Sequence, residues 1–354
     1  MIHKDIEFHN VVELEERVGI PGLQLQRMPM QARRGMSQRG RWNAQMTPGS
    51  EIRFSTDAGK IRLFLSSLEG DAYVYVYQGD LYHSRHYLTP GKIHCLHLEP
   101  AENIGRCAAG KLKSRFSPNV WRVSLPGLFA LFNGLETFGH SCQPPLQGEK
   151  PQTTWLAYGS SITMGTGASM HHNCYVEQTA RRLGVDVMNM GQGGACMCEP
   201  ELADFFASLD NWSFATLEIG INMMDRYSVG EFGERASAFV SKIVSAKPAR
   251  PVIIITPFLN SYHSRDGADD DPVCRRQREY TKFLCDFVGM SKFKKLFLID
   301  GCEMLQDASG LCADLVHPFD TGMAQIAENL SPAITKILQK SQTPTGKSKL
   351  KRTP

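Results

Sequence analysis

Trp155-Leu156-Ala157-Tyr158-Gly159-Ser160-Ser161-Ile162-Thr163 joins a short, wholly apolar run to a glycine turn and then to small hydroxyl residues that can open a helix. A strand that is apolar throughout is covered on both faces, which is the mark of a parallel sheet flanked by helices rather than of a half-solvated antiparallel one. The same grammar recurs downstream. Val185 to Met188, Phe214 to Ile219, Val252 to Ile255 and Leu296 to Ile299 are further apolar runs, and segments of helical period separate them at Tyr175 to Leu183, Glu199 to Leu209, Phe232 to Val244 and Arg275 to Phe287. A last helix is expected from about Gly322 to Leu338. The pattern predicts an α/β domain over 151–340.

Upstream the periodicity is different. Between about residues 50 and 135 apolar and polar residues alternate, as in Glu51-Ile52-Arg53-Phe54, Ile61 to Leu65, Ala72 to Tyr77, Ile93 to Leu98 and Val120 to Leu125, with Gly, Asp and Pro turns between them. Period-two runs joined by short turns predict antiparallel strands and an all-β sandwich over 1–150. The Pro-rich stretch Cys142 to Pro151 marks the boundary. The polar 341–354 tail, with four Lys/Arg in its final eight residues, is expected to be disordered.

Composition narrows the function classes. With 354 residues, 42% hydrophobic and 21% charged, and a net charge of only +3 from 39 basic against 36 acidic residues, there is no strong field to attract nucleic acid. No run of about 18 apolar residues signals a membrane span, and MIHKDIEFHN does not read as a secretion signal. The ten cysteines are irregularly spaced. A cytoplasmic setting is the expectation, with no nucleic-acid or membrane partner and the oligomeric state left open. Cys196 and Cys198, or His94 and His97, lack the spacing of a four-ligand zinc site, so no metal and no cofactor are expected.

In an open α/β sheet, ligands bind outside the carboxyl ends of the strands. Four loops there carry chemistry. Ser160 and Ser161 follow the first run; their hydroxyls serve either as nucleophile above a helix N-terminus or as the helix cap. Asn189 to Ala195 holds three glycines that let backbone N–H groups approach a ligand, or act simply as a connection. Gly220-Ile221-Asn222 places an amide on the same edge. Asp314-Leu315-Val316-His317 brings a carboxylate and an imidazole together, as a serine nucleophile needs: the ring takes its proton and the carboxylate fixes the ring. His171 and His172, just beyond the first loop, are candidate substrate-pocket residues or a solvated pair. Tyr73, Tyr75 and Tyr77 share a strand face that suits packing or a sugar. Arg33, Arg34, Arg39 and Arg41 read as a solvated loop or an interdomain contact, and Glu218, alone in an apolar strand, has no assigned role.

The ordered set Ser, Gly, Asn and Asp-x-x-His over residues 153 to 338 resembles the SGNH/GDSL hydrolase family. That resemblance implies a three-layer α/β/α fold, a nucleophile at Ser161, a base at His317 oriented by Asp314, and an oxyanion hole built from the N–H groups of Ser161 and Gly194 and the amide of Asn222. Two positions depart from the family: Gly-Asp-Ser reads Gly159-Ser160-Ser161, and the Asp that often follows the third-block Asn is Met223, so local hydrogen bonding is expected to differ. The whole chain, with Arg115-Phe116-Ser117-Pro118-Asn119-Val120-Trp121-Arg122, resembles bacterial members that carry an N-terminal, jelly-roll-like β-sandwich. Some of these are carbohydrate esterases and others are acyltransferases or esterases of small-molecule pathways. The expected substrate is therefore a short acyl ester of a carbohydrate or other small molecule, with acyl transfer to an alcohol through the same triad, or a non-catalytic glycan-binding module, as the alternatives.

Overall fold

The computed structural model describes residues 1–107, 111–112, 114–263, 265 and 270–342. The expected tail lies almost wholly outside the described residues.

The upstream half is two antiparallel sheets face to face. One runs in the order Ile2–His3, Ile6–His9, Ser50–Thr56, Val120–Leu125, Ala72–Gln78, Leu81–Leu88, with Cys142–Gln143 added beside Ser50–Thr56. The other runs Glu13–Arg17, Ile20–Gln26, Ala130–Glu136, Ile61–Ser67, His94–Leu98. Ile52, Phe54, Leu63, Leu65, Val74, Val76, Trp121 and Val123 fill the space between them. Those are the apolar members of the alternating runs, so the period of two does place one face of each strand in the core.

On the outer face of the first sheet Glu51, Arg53, Tyr77 and Arg122 are buried as well, because that part of the face lies against the second half of the chain. Val120–Leu125 is buried at every position. Glu51 and Arg53, one residue either side of Ile52, point into this seam, where Arg53 Nη1 and Nη2 donate to the Asp186 carboxylate at 2.7 and 2.8 Å. Arg122 binds Glu51 at 2.6 Å and Asp80 at 3.0 Å, while Arg115 reaches Asp80 at 2.8 Å and the Val185 carbonyl at 3.0 Å. Phe116, fully buried, lies under the guanidinium groups of Arg122 and Arg53, whose central carbons are 4.0 and 4.8 Å from the ring centre. Buried charge is tolerated only when paired and hydrogen-bonded. Here Arg53, Arg122 and Arg115 each have at least one carboxylate.

The downstream half is a five-stranded parallel sheet in the order Asp186–Gly191, Thr154–Gly159, Phe214–Glu218, Val252–Ile255, Leu296–Ile299. Leu156, Tyr158, Leu217 and Ile254 face one core, with Pro200–Ser208, Val229–Ala246 and Pro272–Gly289 packed over it. Trp155, Ala157, Ile253 and Ile255 face the other, beneath Tyr175–Leu183 and Asp320–Gln342. This is the three-layer arrangement that doubly apolar strands require. No helix among the described residues is long and apolar enough to cross a membrane.

Two short helices, Met30–Gly35 and Gln38–Ala44, interrupt the β-rich half where a loop was read. They lack a strong apolar period, but Ala32, Met36 and Ala44 are buried in the first of the two downstream cores, beside Leu202 and Phe206. The segment thus packs on the parallel sheet although it precedes most of the sandwich in sequence.

Candidate active site

Thr154–Gly159 delivers its chain to the carboxyl edge of the sheet, and a one-turn helix, Ser161–Met164, begins at once. Gly159 is required there: a Cβ would run into Thr163 Oγ1 and the Glu218 carboxylate. The two serines take different roles. Ser160 is buried and its Oγ caps the turn by accepting from Ile162 N at 3.2 Å. Ser161 Oγ instead lies 2.7 Å from His317 Nε2. His317 Nδ1 is 2.7 Å from Asp314 Oδ2, and Asp314 Oδ1 accepts from the backbone N–H groups of Val316 and His317 at 2.9 and 3.0 Å. Partial burial alone would raise the Asp314 carboxyl, but the His317 ring and these amides hold it down at about 2, so it stays ionised at any ordinary pH. An anion on Nδ1 keeps the proton on that nitrogen and leaves Nε2 free to accept from Ser161.

A cleft of about 500 Å³ lies over Ser161 and His317, and Gly194, Asn222, Arg39 and Trp42 are among its walls. Gly194 adopts φ +67°, a left-handed conformation that glycine takes without strain. Asn222 Oδ1 accepts from Cys196 N at 3.1 Å, which leaves the Nδ2 donors for the cleft. Ser161, Gly194 and Asn222 therefore border the same cleft.

Glu218 underlies the nucleophile turn. Its Oε2 accepts from Ser160 N at 2.7 Å and from Thr163 Oγ1 at 3.2 Å, and Thr163 in turn pairs with Tyr175 OH at 2.7 Å. Burial carries this carboxyl up to about 7, against the opposing pull of the bonds from Ser160 and Thr163. Of the two departures from the resembled pattern, Ser160 supplies the cap within this network, and Met223 is fully buried in the core.

Residues 152–335, more than half of the chain, match the model described as the GDSL-like Lipase/Acylhydrolase family. The chain belongs to that family. No curated protein matches it in sequence. Among solved structures, this chain is similar to a salicylyl-acyltransferase, SsfX3, from a tetracycline biosynthetic pathway, with a TM-score of 0.77 at 18% identity over 94% of this chain and 95% of that one. It is also similar to a GDSL-like lipase from Bacteroides ovatus, with a TM-score of 0.66 at 20% identity over 89% and 92% of the two chains. A family two carbohydrate esterase from Clostridium thermocellum, in complex with cellohexaose, aligns with a TM-score of 0.60 at 14% identity over 83% and 94%. At such identities the likeness is one of fold, and it extends to the β-rich half.

The lining of the cleft does not include His171 or His172. His171 is buried and lines a neighbouring cavity of about 400 Å³ that shares Met164 and Thr166 with the cleft. His172 lies edge-on to the rings of Tyr75 and Tyr77, at 4.8 and 6.4 Å. Tyr75 and Tyr77 are themselves buried, and Tyr73 is the exposed member of the three. The cleft wall that sequence reading missed comes from the Gln38–Ala44 helix, which brings Arg39, Trp42 and Asn43. The run Arg39-Gly-Arg-Trp42 offered a hint in its single aromatic among cations, but nothing local said which face it would meet.

Proposed function

We propose that this chain is a serine acyl-ester hydrolase that works through an acyl-Ser161 intermediate, with Gly194 and Asn222 completing the oxyanion hole. The observation that carries the reading is the continuous 2.7 Å contacts from Ser161 Oγ to His317 Nε2 and from His317 Nδ1 to Asp314. His317 Nε2 removes the hydroxyl proton as Oγ attacks the ester carbonyl carbon, and the carbonyl electron pair moves onto oxygen. The Ser161 and Gly194 N–H groups and Asn222 Nδ2 receive that oxyanion; each such donor contributes about 3 kcal/mol to the transition state. As the tetrahedral adduct collapses, the bond to the leaving alcohol breaks and His317 returns the proton to its oxygen. Water repeats the sequence on the acyl-enzyme and releases the acid.

A cleft of about 500 Å³ suits a small ester, within the roughly 300–1,000 Å³ of small-molecule sites. The substrate class we favour is a short acyl ester of a carbohydrate or other small molecule, supported by the shared architecture with a carbohydrate esterase. The likeness to an acyltransferase supports a second reading, in which an alcohol rather than water takes the acyl group. The deciding test is a panel of 4-nitrophenyl short-chain esters, acetylated sugars and acyl thioesters, run on wild type and Ser161→Ala, with product partitioning measured as alcohols are added. Turnover that persists in Ser161→Ala sinks the proposal; product ratios that favour added alcohol over water at low alcohol concentration select transfer over hydrolysis.

A further inference from the structure

The peptide group between Gly193 and Gly194 is held from outside the parallel sheet. Its carbonyl oxygen accepts from Asn43 Nδ2 at 2.6 Å and from Arg39 Nε at 3.2 Å, both on the Gln38–Ala44 helix. In a planar trans peptide the C=O and N–H of one unit point in opposite directions, so fixing the Gly193 oxygen fixes the direction of the Gly194 N–H. That N–H is the group placed above in the oxyanion hole. Left alone, a peptide between two glycines is the unit most free to rotate, since neither side has a Cβ to restrict it.

The clamp is itself anchored. Asn43 is buried, and Arg27, also buried, donates to the Asn43 carbonyl at 3.1 Å while holding the start of the same loop at the Asn189 carbonyl at 2.8 Å and the Gly191 carbonyl at 3.4 Å. Two donors on one carbonyl also draw electron density toward its oxygen, which makes the N–H at the other end of the unit a stronger donor. A positively charged guanidinium as one of the two adds to that polarisation.

We infer that Asn43 and Arg39 are positioning residues for the oxyanion hole, aiming and polarising the Gly194 N–H through the Gly193 carbonyl. This rests on the acyl-Ser161 ester-hydrolase reading proposed above. The upstream segment then completes the reactive site of the downstream sheet, and its contribution lies in the transition state, where the carbonyl oxygen carries charge, rather than in the substrate complex.

The test uses the full chain. Wild type is first checked for 4-nitrophenyl acetate turnover and for labelling of Ser161 by a serine-directed phosphonate. Asn43→Ala, Arg39→Met and Arg39→Lys are then compared for kcat, KM and inhibition by an alkyl trifluoromethyl ketone, which forms a tetrahedral oxyanion adduct with the serine. Asn43→Ala is expected to lower kcat about tenfold or more with KM little changed, and to weaken the ketone by a similar factor. Arg39→Met gives a smaller loss of the same kind, and Arg39→Lys recovers part of it by restoring a cationic donor. A joint that only packs the helix on the loop would change the melting temperature and leave kcat per active site and ketone affinity alone. Unchanged kcat in an active-site-titrated variant, or a fall in kcat without weakening of the ketone, overturns the inference. Should Asn43→Ala not fold, the exposed Arg39 pair decides by the same criteria. A wild type that neither turns over esters nor takes the phosphonate at Ser161 overturns the esterase reading and this inference together, whereas an active wild type with unaffected variants overturns this inference alone.

Discussion

Arg53 and Asp186 face each other as a two-bond fork across the seam between the antiparallel and parallel sheets, at 2.7 and 2.8 Å. Burial would raise the Asp186 carboxyl, but Arg53 beside it, with a smaller contribution from His9, holds it far below the usual carboxylate range. Asp186→Ala takes from Arg53 its two-bond partner and leaves it paired with Glu51 and Glu7. We predict a loss of up to about 3 kcal/mol, the low end of the range for breaking one side of a buried pair because two carboxylates remain, read from urea unfolding. The double change Arg53→Met with Asp186→Leu should cost less than the single one. A single variant as stable as wild type removes the fork from the account of how the halves join.

The two adjacent serines separate cleanly. Ser161→Ala should lower esterase turnover by about a thousandfold or more, since the attacking oxygen is gone. Ser160→Ala keeps the backbone N–H that Glu218 accepts and loses the hydroxyl, with its cap on Ile162, worth about 1 kcal/mol, and its side-chain bond to Glu218. It should retain much of the activity and melt earlier. Phosphonate labelling of Ser160 in place of Ser161, read by peptide mass, contradicts the assignment.

Glu218 titrates at about 7 in the fold and near its ordinary 4.5 when unfolded, chiefly because it is buried. Between those values the folded protein binds the extra proton, so stability falls as pH rises from 4.5 to 7 and stays lower above. Glu218→Gln still offers an oxygen to Ser160 N and has nothing to ionise. It should gain up to roughly 3 kcal/mol over wild type at pH 8, with little gain at pH 5. Calorimetric melting at both pH values checks this; an equal difference at the two excludes Glu218 as the titrating group.

Legibility in the sequence followed how local each signal was. Trp155 to Tyr158 and Val252 to Ile255 announce a parallel sheet because residues on both faces of each strand are buried. Asp314 and His317 could be paired on paper because two residues separate them. Arg27, Arg39 and Asn43 could not be placed: their partners, Asn189, Gly191 and Gly193, lie about 150 residues away, and a polar side chain carries no periodic mark of a distant carbonyl. The Leu81–Leu88 strand was missed for a related reason. Among the described residues it is the edge of its sheet, and Leu81, Tyr82 and Tyr87 are exposed, so apolar and polar positions do not alternate with burial.

Asn222 gives the sharpest test of the oxyanion assignment, because its amide is oriented by something other than substrate. The Cys196 N–H needs an acceptor and takes Asn222 Oδ1 at 3.1 Å, so the NH₂ end is the one left to the cleft. Asn222→Ala removes that donor and should lower kcat by roughly a hundredfold, with KM nearly unchanged, because the bond matters once the carbonyl oxygen is charged. Asn222→Asp goes further. It keeps the acceptor for Cys196 and the shape of the side chain, yet sets a carboxylate where an oxyanion must form, so like charge is added to the loss of a donor. The expected order of kcat is therefore wild type, then Ala, then Asp, at a pH where the new carboxylate is ionised, with the Asp variant recovering toward Ala as the pH is lowered. Steady-state kinetics of the three proteins on one short-chain aryl ester, normalised to titrated active sites, measures this. An Asp variant that equals wild type, or an Ala variant that loses KM and not kcat, takes Asn222 out of the oxyanion hole and makes it a ground-state contact instead.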